Sequence, residues 1–361
     1  MNILIVNPIV YTSETKNITR ADSIKDTMIY DLCLAFTQLG HKVTLFAGEP
    51  FKPVTQEDYP FTVIWGKCSL KKVFLPNCIP YMPSLVTYIQ KNKKSLDLII
   101  SSEVFSINSL NAVLFGGRKV IIWHELAKHN AIFRQLPSKI WYNLVAKLFM
   151  RNTTVVARSY EAKEFIGKYC KNTQDYVIDH GVNLDKFKAS EKKENYFVVC
   201  SQLIERKRID LILNEFSKYL NSFDKTAKLY VIGDGELRDT LKSLCENLRI
   251  SDNVIFTGKI SHDKLLPYLS HAKALLIKTE KDNNMISIIE AIAVGTPVLT
   301  TEVPLNSTYI KKYNLGIAKN WDKNDLKKIV DNNELYVGNC LEYRKKLSTL
   351  AKAEEFTKIL R

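Results

Sequence analysis

Short apolar runs alternate with helical spacings along this chain. Residues 2–7, NILIVN, form an apolar run of strand length. Ile24, Met28, Leu32, Ala35 and Leu39 then recur at helical intervals, Gly40 supplies the stop, and residues 42–48, KVTLFAG, make a second apolar run. That is a strand–helix–strand unit. The rhythm continues through LDLIIS, KVIIWH, TTVVARS and DYVIDHG. Strands that are apolar at nearly every position are buried on both faces, so the pattern predicts an α/β fold with a doubly wound, mostly parallel sheet.

The alternation pauses at residues 184–195, LDKFKASEKKEN, and restarts with YFVVCSQ. A helix over 208–220, AKLYVIGDG, a helix over 236–249, NVIFTG, AKALLIKT and TPVLTT follow in order. The charged stretch reads as a linker between two Rossmann-like domains, 1–185 and 193–343, with a last helical pattern over 344–361. At 361 residues and 46% hydrophobic content, each domain can fill its own core. Two such domains in series place a ligand in the crevice at the carboxyl ends of their strands.

Charge narrows the partners. Lys and Arg number 52 against 38 Asp and Glu, a net +14 that calls for nucleotides, nucleic acid or an anionic membrane face. No helix-turn-helix, RNP strand or zinc-finger pattern is visible, which argues against a nucleic-acid reader. The seven cysteines are scattered and odd in number, without metal-ligand spacing; they read as reduced core thiols of a cytoplasmic protein. The opening MNILIVNPIVY lacks a basic n-region and a cleavage site, and no uncharged apolar run is long enough to span a bilayer.

Several stretches can carry chemistry. In DNNMISIIEAIAVGTPVLTT, residues 282–301, a loop enters a short helix whose first N–H groups, those of Met285, Ile286 and Ser287, form an anion site. Glu290 is the one acid on that helix and shares a face with Ile286 and Val294. A carboxylate there can accept two hydrogen bonds from a ribose diol. Gly295 closes the helix. Arg206, Lys207 and Arg208 fall between a strand end and a helix start, where cations can neutralise a diphosphate; a solvated charge run has the same look. A Gly-Asp-Gly turn at 233–235 and a strand closed by Gly258 are weaker signals, and His124 and Glu125 lie where a strand ends.

IDHGVN, SQLIERKRID, VIGDGELRDTL, NVIFTGKI and the D-x7-E from Asp282 to Glu290 before AIAVGTPVL, in that order, resemble the retaining glycosyltransferases of family GT4, glycosyl transferases group 1. LGHKVTLF and WHE are fainter echoes in the first half. The resemblance implies the GT-B fold, two Rossmann-like domains facing each other across a cleft, with the terminal helix packing back on the first. It implies that Asp282, or Glu280 if the loop is shifted, contacts the transferred sugar and that Glu290 holds the ribose. Lys207, with Arg206 beside it, lies on the diphosphate, and Asn283, Asn284, Met285, Ile286 and Ser287 line sugar and phosphate. Gly258, Lys259 and Ile260 read the base, and His124 sits beside the donor sugar. The family's usual Gly-Phe-Gly after the first acid is here Asn283-Asn284-Met285, and a double-glycine loop after the first strand is replaced by VYTSETKNITRAD.

The implied activity is transfer of a hexose or N-acetylhexosamine from a nucleotide sugar, UDP by the family's habit, to a saccharide acceptor. Lys207 and the helix start near residue 285 can stabilise the leaving diphosphate without a metal, and no other cofactor is expected. Residues 138–151, SKIWYNLVAKLFMR, repeat Lys139, Asn143, Lys147 and Arg151 every fourth position beside Trp141, Leu144, Leu148 and Phe149. That stripe suits a helix lying on an anionic membrane, and hence a lipid-linked acceptor in capsule or O-antigen synthesis. An epimerase or hydrolase on the same fold, and a non-catalytic nucleotide-sugar binder, share the same residues.

Overall fold

The computed structural model describes residues 1–11, 21–74, 79–126, 135–179, 181–282 and 284–359. Asn283 and most of the loop that replaces the double glycine lie outside them. The chain divides into two compact units, Met1–Gly181 with Thr349–Arg361, and Val182–Ser348.

The first unit is built on β1 (Asn2–Val6), β2 (Lys42–Gly48), β3 (Thr62–Gly66), β4 (Leu98–Ser102), β5 (Val120–His124), β6 (Thr154–Ala157) and β7 (Thr173–Val177). All pairings are parallel, in the spatial order β3-β2-β1-β4-β5-β6-β7. The order reverses at β1, where Ile3 is flanked by Val43 and Leu98. Side chains alternate between the faces of a strand. Ile3 and Ile5 join Phe36, Leu45 and Phe356 on one face, while Leu4 and Val6 join Phe46, Ile89 and Tyr142 on the other. Both faces are covered, as the unbroken apolar runs require. The helix Met28–Gln38 starts at Thr27, whose hydroxyl accepts the Tyr30 N–H at 3.3 Å. The last helix, Thr349–Lys358, belongs to this unit. Phe356 meets Trp123 edge-on at 5.4 Å, and Lys352 pairs with buried Asp179 at 2.7 Å.

The second unit repeats the architecture with β8 (Tyr196–Cys200), β9 (Lys228–Ile232), β10 (Val254–Gly258), β11 (Ala274–Leu276), β12 (Val298–Thr300) and β13 (Gly316–Ala318). The order is β10-β9-β8-β11-β12-β13, again all parallel. Phe197 and Val199 face one core and Val198 the other. The charged stretch 184–195 packs onto this unit: Lys193 is drawn in to donate to the Ser270 carbonyl at 2.6 Å and the Thr296 hydroxyl at 2.9 Å, and burial lowers it to about 8. The chain passes between the units at 181/182 and 348/349. Among the described residues, no helix is long and apolar enough to cross a membrane.

The turn after β9 depends on glycine. Gly233 has φ +136°, and a Cβ there would lie 1.9 Å from the Ser201 carbonyl oxygen. Gly233→Ala is therefore expected to cost about 3 kcal/mol or more, read as a lower urea midpoint for the second unit. Gly338 lies inside the helix Asn333–Tyr343, and a Cβ added there would meet nothing within 4 Å, so Gly338→Ala should raise that midpoint, by about 1 kcal/mol.

Candidate functional site

After β8 the chain makes a tight turn, Glu205–Lys207, and Arg208 adopts a left-handed φ of 49° before the helix Ile209–Ser222. This turn aims consecutive cations at the carboxyl end of the sheet. Lys207 Nζ lies 2.8 Å from Asp282 Oδ2, and Arg206 Nη1 donates to Asp282 Oδ1 at 3.0 Å and to the Lys281 carbonyl at 2.7 Å. The Thr279 hydroxyl donates to Asp282 Oδ2 at 2.7 Å. Asp282 is thus tied to two cations and a hydroxyl. Glu280, the alternative first acid, instead pairs with Arg208, which also grips Asp210. Its side chain is 57% exposed, against 14% for Asp282, so Asp282 is the acid that the fold draws in. Beneath Lys207 lies a cavity of about 10 Å³, room for one water, lined by Cys200, Thr279 and Met285 among others.

The helix Ile286–Ala293 ends as the sequence predicts. Gly295, at φ +78°, donates to the Ile292 carbonyl, and Thr296 donates to that of Ala291 at 2.7 Å. Its start differs from expectation in one respect. The Met285 N–H is not open to an anion: it donates to Asn306 Oδ1 at 3.2 Å, while Asn306 Nδ2 returns a bond to the Met285 carbonyl at 2.8 Å. Met285 turns its side chain into the core, so the Asn306 amide closes off its backbone. The N–H groups of Ile286 and Ser287 have no partner among the described residues. Asn284 is half-buried, and Asn283 lies outside the described residues.

Glu290 is buried, and its Oε1 accepts a hydrogen bond from His262 Nε2 at 2.8 Å. Gly258 ends β10 at φ +71°, Lys259 is exposed, and Ile260 leads into the helix that His262 begins. Cys200 closes β8 near both charges. Burial, with the Glu290 carboxylate adding to it, pushes its thiol up to about 12, and the thiol stays protonated.

In the first unit His124 closes β5 and is fully buried. Its Nδ1 lies 2.9 Å from Glu103 Oε2, and a carboxylate can only accept, so the proton sits on Nδ1. The Val104 amide, 3.4 Å from the same nitrogen, is too far to compete. Nε2 is buried without a hydrogen-bond partner among the described residues. Glu103 has φ +68° and also accepts the Glu125 amide at 2.9 Å, while Glu125 pairs with Arg158, stacked 3.7 Å over Trp123. Sequence patterns do not single out Glu103, Thr279, His262 or Asn306. The one signal available for Glu103 and Thr279 is position, directly past the carboxyl end of a parallel strand.

The stripe over 138–151 is helical, but from Trp141 to Met150 it winds as a π-helix, wider than the α-helix of Leu136–Ile140 before it. With the wider turn, residues four apart stay in line. Ser138, Tyr142, Ala146 and Met150 are buried; Lys139, Asn143, Lys147 and Arg151 form an exposed row; Leu136, Ile140, Leu144 and Leu148 form another, each at least half exposed. Trp141 departs from expectation: its indole donates to the Val104 carbonyl at 2.8 Å and faces inward. Phe149 does face solvent.

Residues 183–353 match the family model for glycosyl transferases group 1. The match takes in nearly all of the second unit, and that part of the chain is similar to the group 1 glycosyl transferases. Curated relatives include the alpha-monoglucosyldiacylglycerol synthase of Streptococcus pneumoniae, 28% identical over 54% of this chain and 46% of its own length. The O-antigen chain mannosyltransferase RfbU of Salmonella typhimurium is 26% identical over 46% of this chain and 47% of its own length. The matched part thus spans less than half of each of these relatives. Among solved structures, the Anabaena protein HepE in complex with UDP superposes with a TM-score of 0.69 at 14% identity, covering 100% of this chain and 99% of that one. WaaG, a glycosyltransferase involved in lipopolysaccharide biosynthesis, gives 0.61 at 13% identity, covering 99% of each. The fold of this chain is therefore GT-B.

The Lys207–Asp282 pair is the electrostatic centre of the second unit's site. Removing Asp282 strands the Lys207 charge with little water around it, whereas removing Lys207 leaves Asp282 its arginine and its hydroxyl. Asp282→Asn should therefore lower unfolding stability by roughly 3 kcal/mol, and Lys207→Met with Asp282→Asn should recover most of it, as a urea double-mutant cycle would report. Additive losses would mean that the pair is uncoupled.

Proposed function

We propose that this protein is a retaining glycosyltransferase that moves a hexose or N-acetylhexosamine from a nucleoside diphosphate sugar, a UDP-sugar first among them, to a lipid-linked saccharide at the cytoplasmic face of a membrane, in surface polysaccharide synthesis. The observation that carries the reading is the Lys207–Asp282 pair inside the group 1 domain. A carboxylate already occupies the place where a cation pair can take a phosphate oxygen, and Arg206 and Lys207 supply the charge that a departing diphosphate needs. The C1–O bond to the phosphate breaks, the developing charge on that oxygen is held by these cations, and the same oxygen takes the proton of the acceptor hydroxyl as the new bond forms on the same face. Metal independence rests on these two cations. Asp282 is assigned contact with the transferred sugar, Glu290 the ribose, Gly258 to Ile260 the base, and Asn284, Ile286 and Ser287 sugar and phosphate.

The donor base is supported by the UDP complex of HepE, and the acceptor class by relatives named for a glycolipid and an O-antigen chain. The 136–151 helix supports a membrane-borne acceptor, because an exposed row of leucine and isoleucine beside a row of cations suits an anionic lipid surface. The neutralised Asp282 also favours a second reading, a non-catalytic nucleotide-sugar binder supporting a partner transferase, which the same assay separates.

With EDTA present, one of UDP, GDP, ADP and CMP should raise the melting temperature, since ligand at a hundredfold its Kd stabilises by about 2.7 kcal/mol, and Glu290→Ala should abolish the shift. Transfer from the matching nucleotide sugar by the purified protein, lost in Lys207→Ala, would support catalysis; binding without transfer to any saccharide acceptor would support the second reading. Flotation with phosphatidylglycerol vesicles but not neutral ones is expected, and Leu144→Glu with Leu148→Glu should abolish it without lowering the melting temperature. Equal flotation of this variant would count against the helix as the membrane contact.

A further inference from the structure

The two acids of the D-x7-E are treated in opposite ways. Asp282 meets a lysine, an arginine and a hydroxyl, so its charge is balanced before any ligand arrives. Glu290 is buried on an otherwise apolar helix, and the one hydrogen-bond donor seen at its carboxylate among the described residues is an imidazole. That donor is His262, the first residue of the helix His262–His271, which packs on the Glu290 helix. Its ring is fixed from the side by the buried ring of Phe187, edge-on at 5.7 Å. Because a carboxylate only accepts, the proton lies on Nε2 and points at Oε1.

A single imidazole N–H orients a carboxylate through one of its oxygens and leaves its other acceptor sites open, which the several donors of a lysine or arginine would tend to fill. With Oε1 anchored, Oε2 and the remaining lone pair of Oε1 stay available to accept from neighbouring hydroxyls. We propose that His262 is the positioning residue that presets Glu290 to accept a ribose diol, and so makes the site select ribonucleotides over their deoxy counterparts. This rests on the nucleotide-sugar reading above. Neither the family-like motifs nor the spacing of the D-x7-E points to His262, which lies 28 residues away in sequence.

The discriminating experiment is calorimetry of the full chain with UDP, 2′-deoxy-UDP and 3′-deoxy-UDP. The wild type should bind UDP about tenfold more tightly than at least one deoxy form, in line with one lost hydrogen bond to a charged group. His262→Ala should weaken UDP by about tenfold and the sensitive deoxy form by less than about twofold, because the two losses act through one carboxylate. His262→Gln, which keeps an N–H donor, should restore UDP binding to within about threefold of wild type. Unchanged UDP affinity in His262→Ala overturns the proposal. So does an equal loss for UDP and both deoxy forms, which marks His262 as a packing residue only. Should His262→Ala not fold, His262→Gln and His262→Phe decide it: the proposal requires Gln to bind UDP well and Phe to bind it poorly. A wild type that binds none of UDP, GDP, ADP or CMP overturns the nucleotide-sugar reading and this inference together, whereas wild-type binding with indifferent variants overturns this inference alone.

Discussion

Everything in this protein hangs on sheets that are buried on both faces. An all-parallel sheet needs a crossover for each strand, and the crossovers cover both sides with helices. Ile3 and Leu4, neighbours in sequence, therefore belong to different cores, as do Phe197 and Val198. No face is left for a ligand, and chemistry moves to the carboxyl ends of the strands. Glu103 after β4, His124 at the end of β5, Lys207 after β8, Gly258 at the end of β10 and Asp282 after β11 all obey this rule.

Within the second unit, the same edge holds two carboxylates in unlike surroundings. Asp282 lies among cations and a hydroxyl, which lowers the cost of its burial and holds Lys207 in one place. Glu290 keeps a single imidazole partner and a largely apolar helix around it. An anionic ligand can exchange with the first carboxylate for the lysine, whereas hydroxyl groups can add to the second without displacing anything. The chemistry of a nucleoside diphosphate, anionic at one end and a diol at the other, matches that asymmetry.

In the first unit, the wide winding of residues 141–150 gives the surface helix three parallel rows of different character. Its inner side is not passive. Trp141 bonds the Val104 carbonyl, and Tyr142 stacks on Phe105 at 6.0 Å, so the helix grips the segment that follows Glu103. The left-handed backbone of Glu103 is held from that side by these aromatic groups and from the other by His124 and the Glu125 amide.

The sequence by itself determined the fold class, the two strand–helix successions and the ends of the elements around the site. Apolar runs and glycine stops are local signals, and NILIVN, KVTLFAG and the Gly295 cap behave in the structure as they read in the chain. It also singled out Lys207, Asp282 and Glu290 as candidates, through their order along the chain. What it left undecided was pairing. That Lys207 closes on Asp282, 75 residues away, and Glu290 on His262 depends on which strand ends the sheet order brings together. The Met285 amide reads as open in the sequence for the same reason: Asn306, 21 residues on, fills its hydrogen bond, and no periodicity announces such a visitor. Trp141 reads as surface because period-four rows assume a helix at solvent, whereas Val104 draws the indole inward. Local patterns set where the backbone turns and which residues are apolar; long-range packing alone sets which polar groups meet, because a hydrogen bond is satisfied by proximity in space and not along the chain.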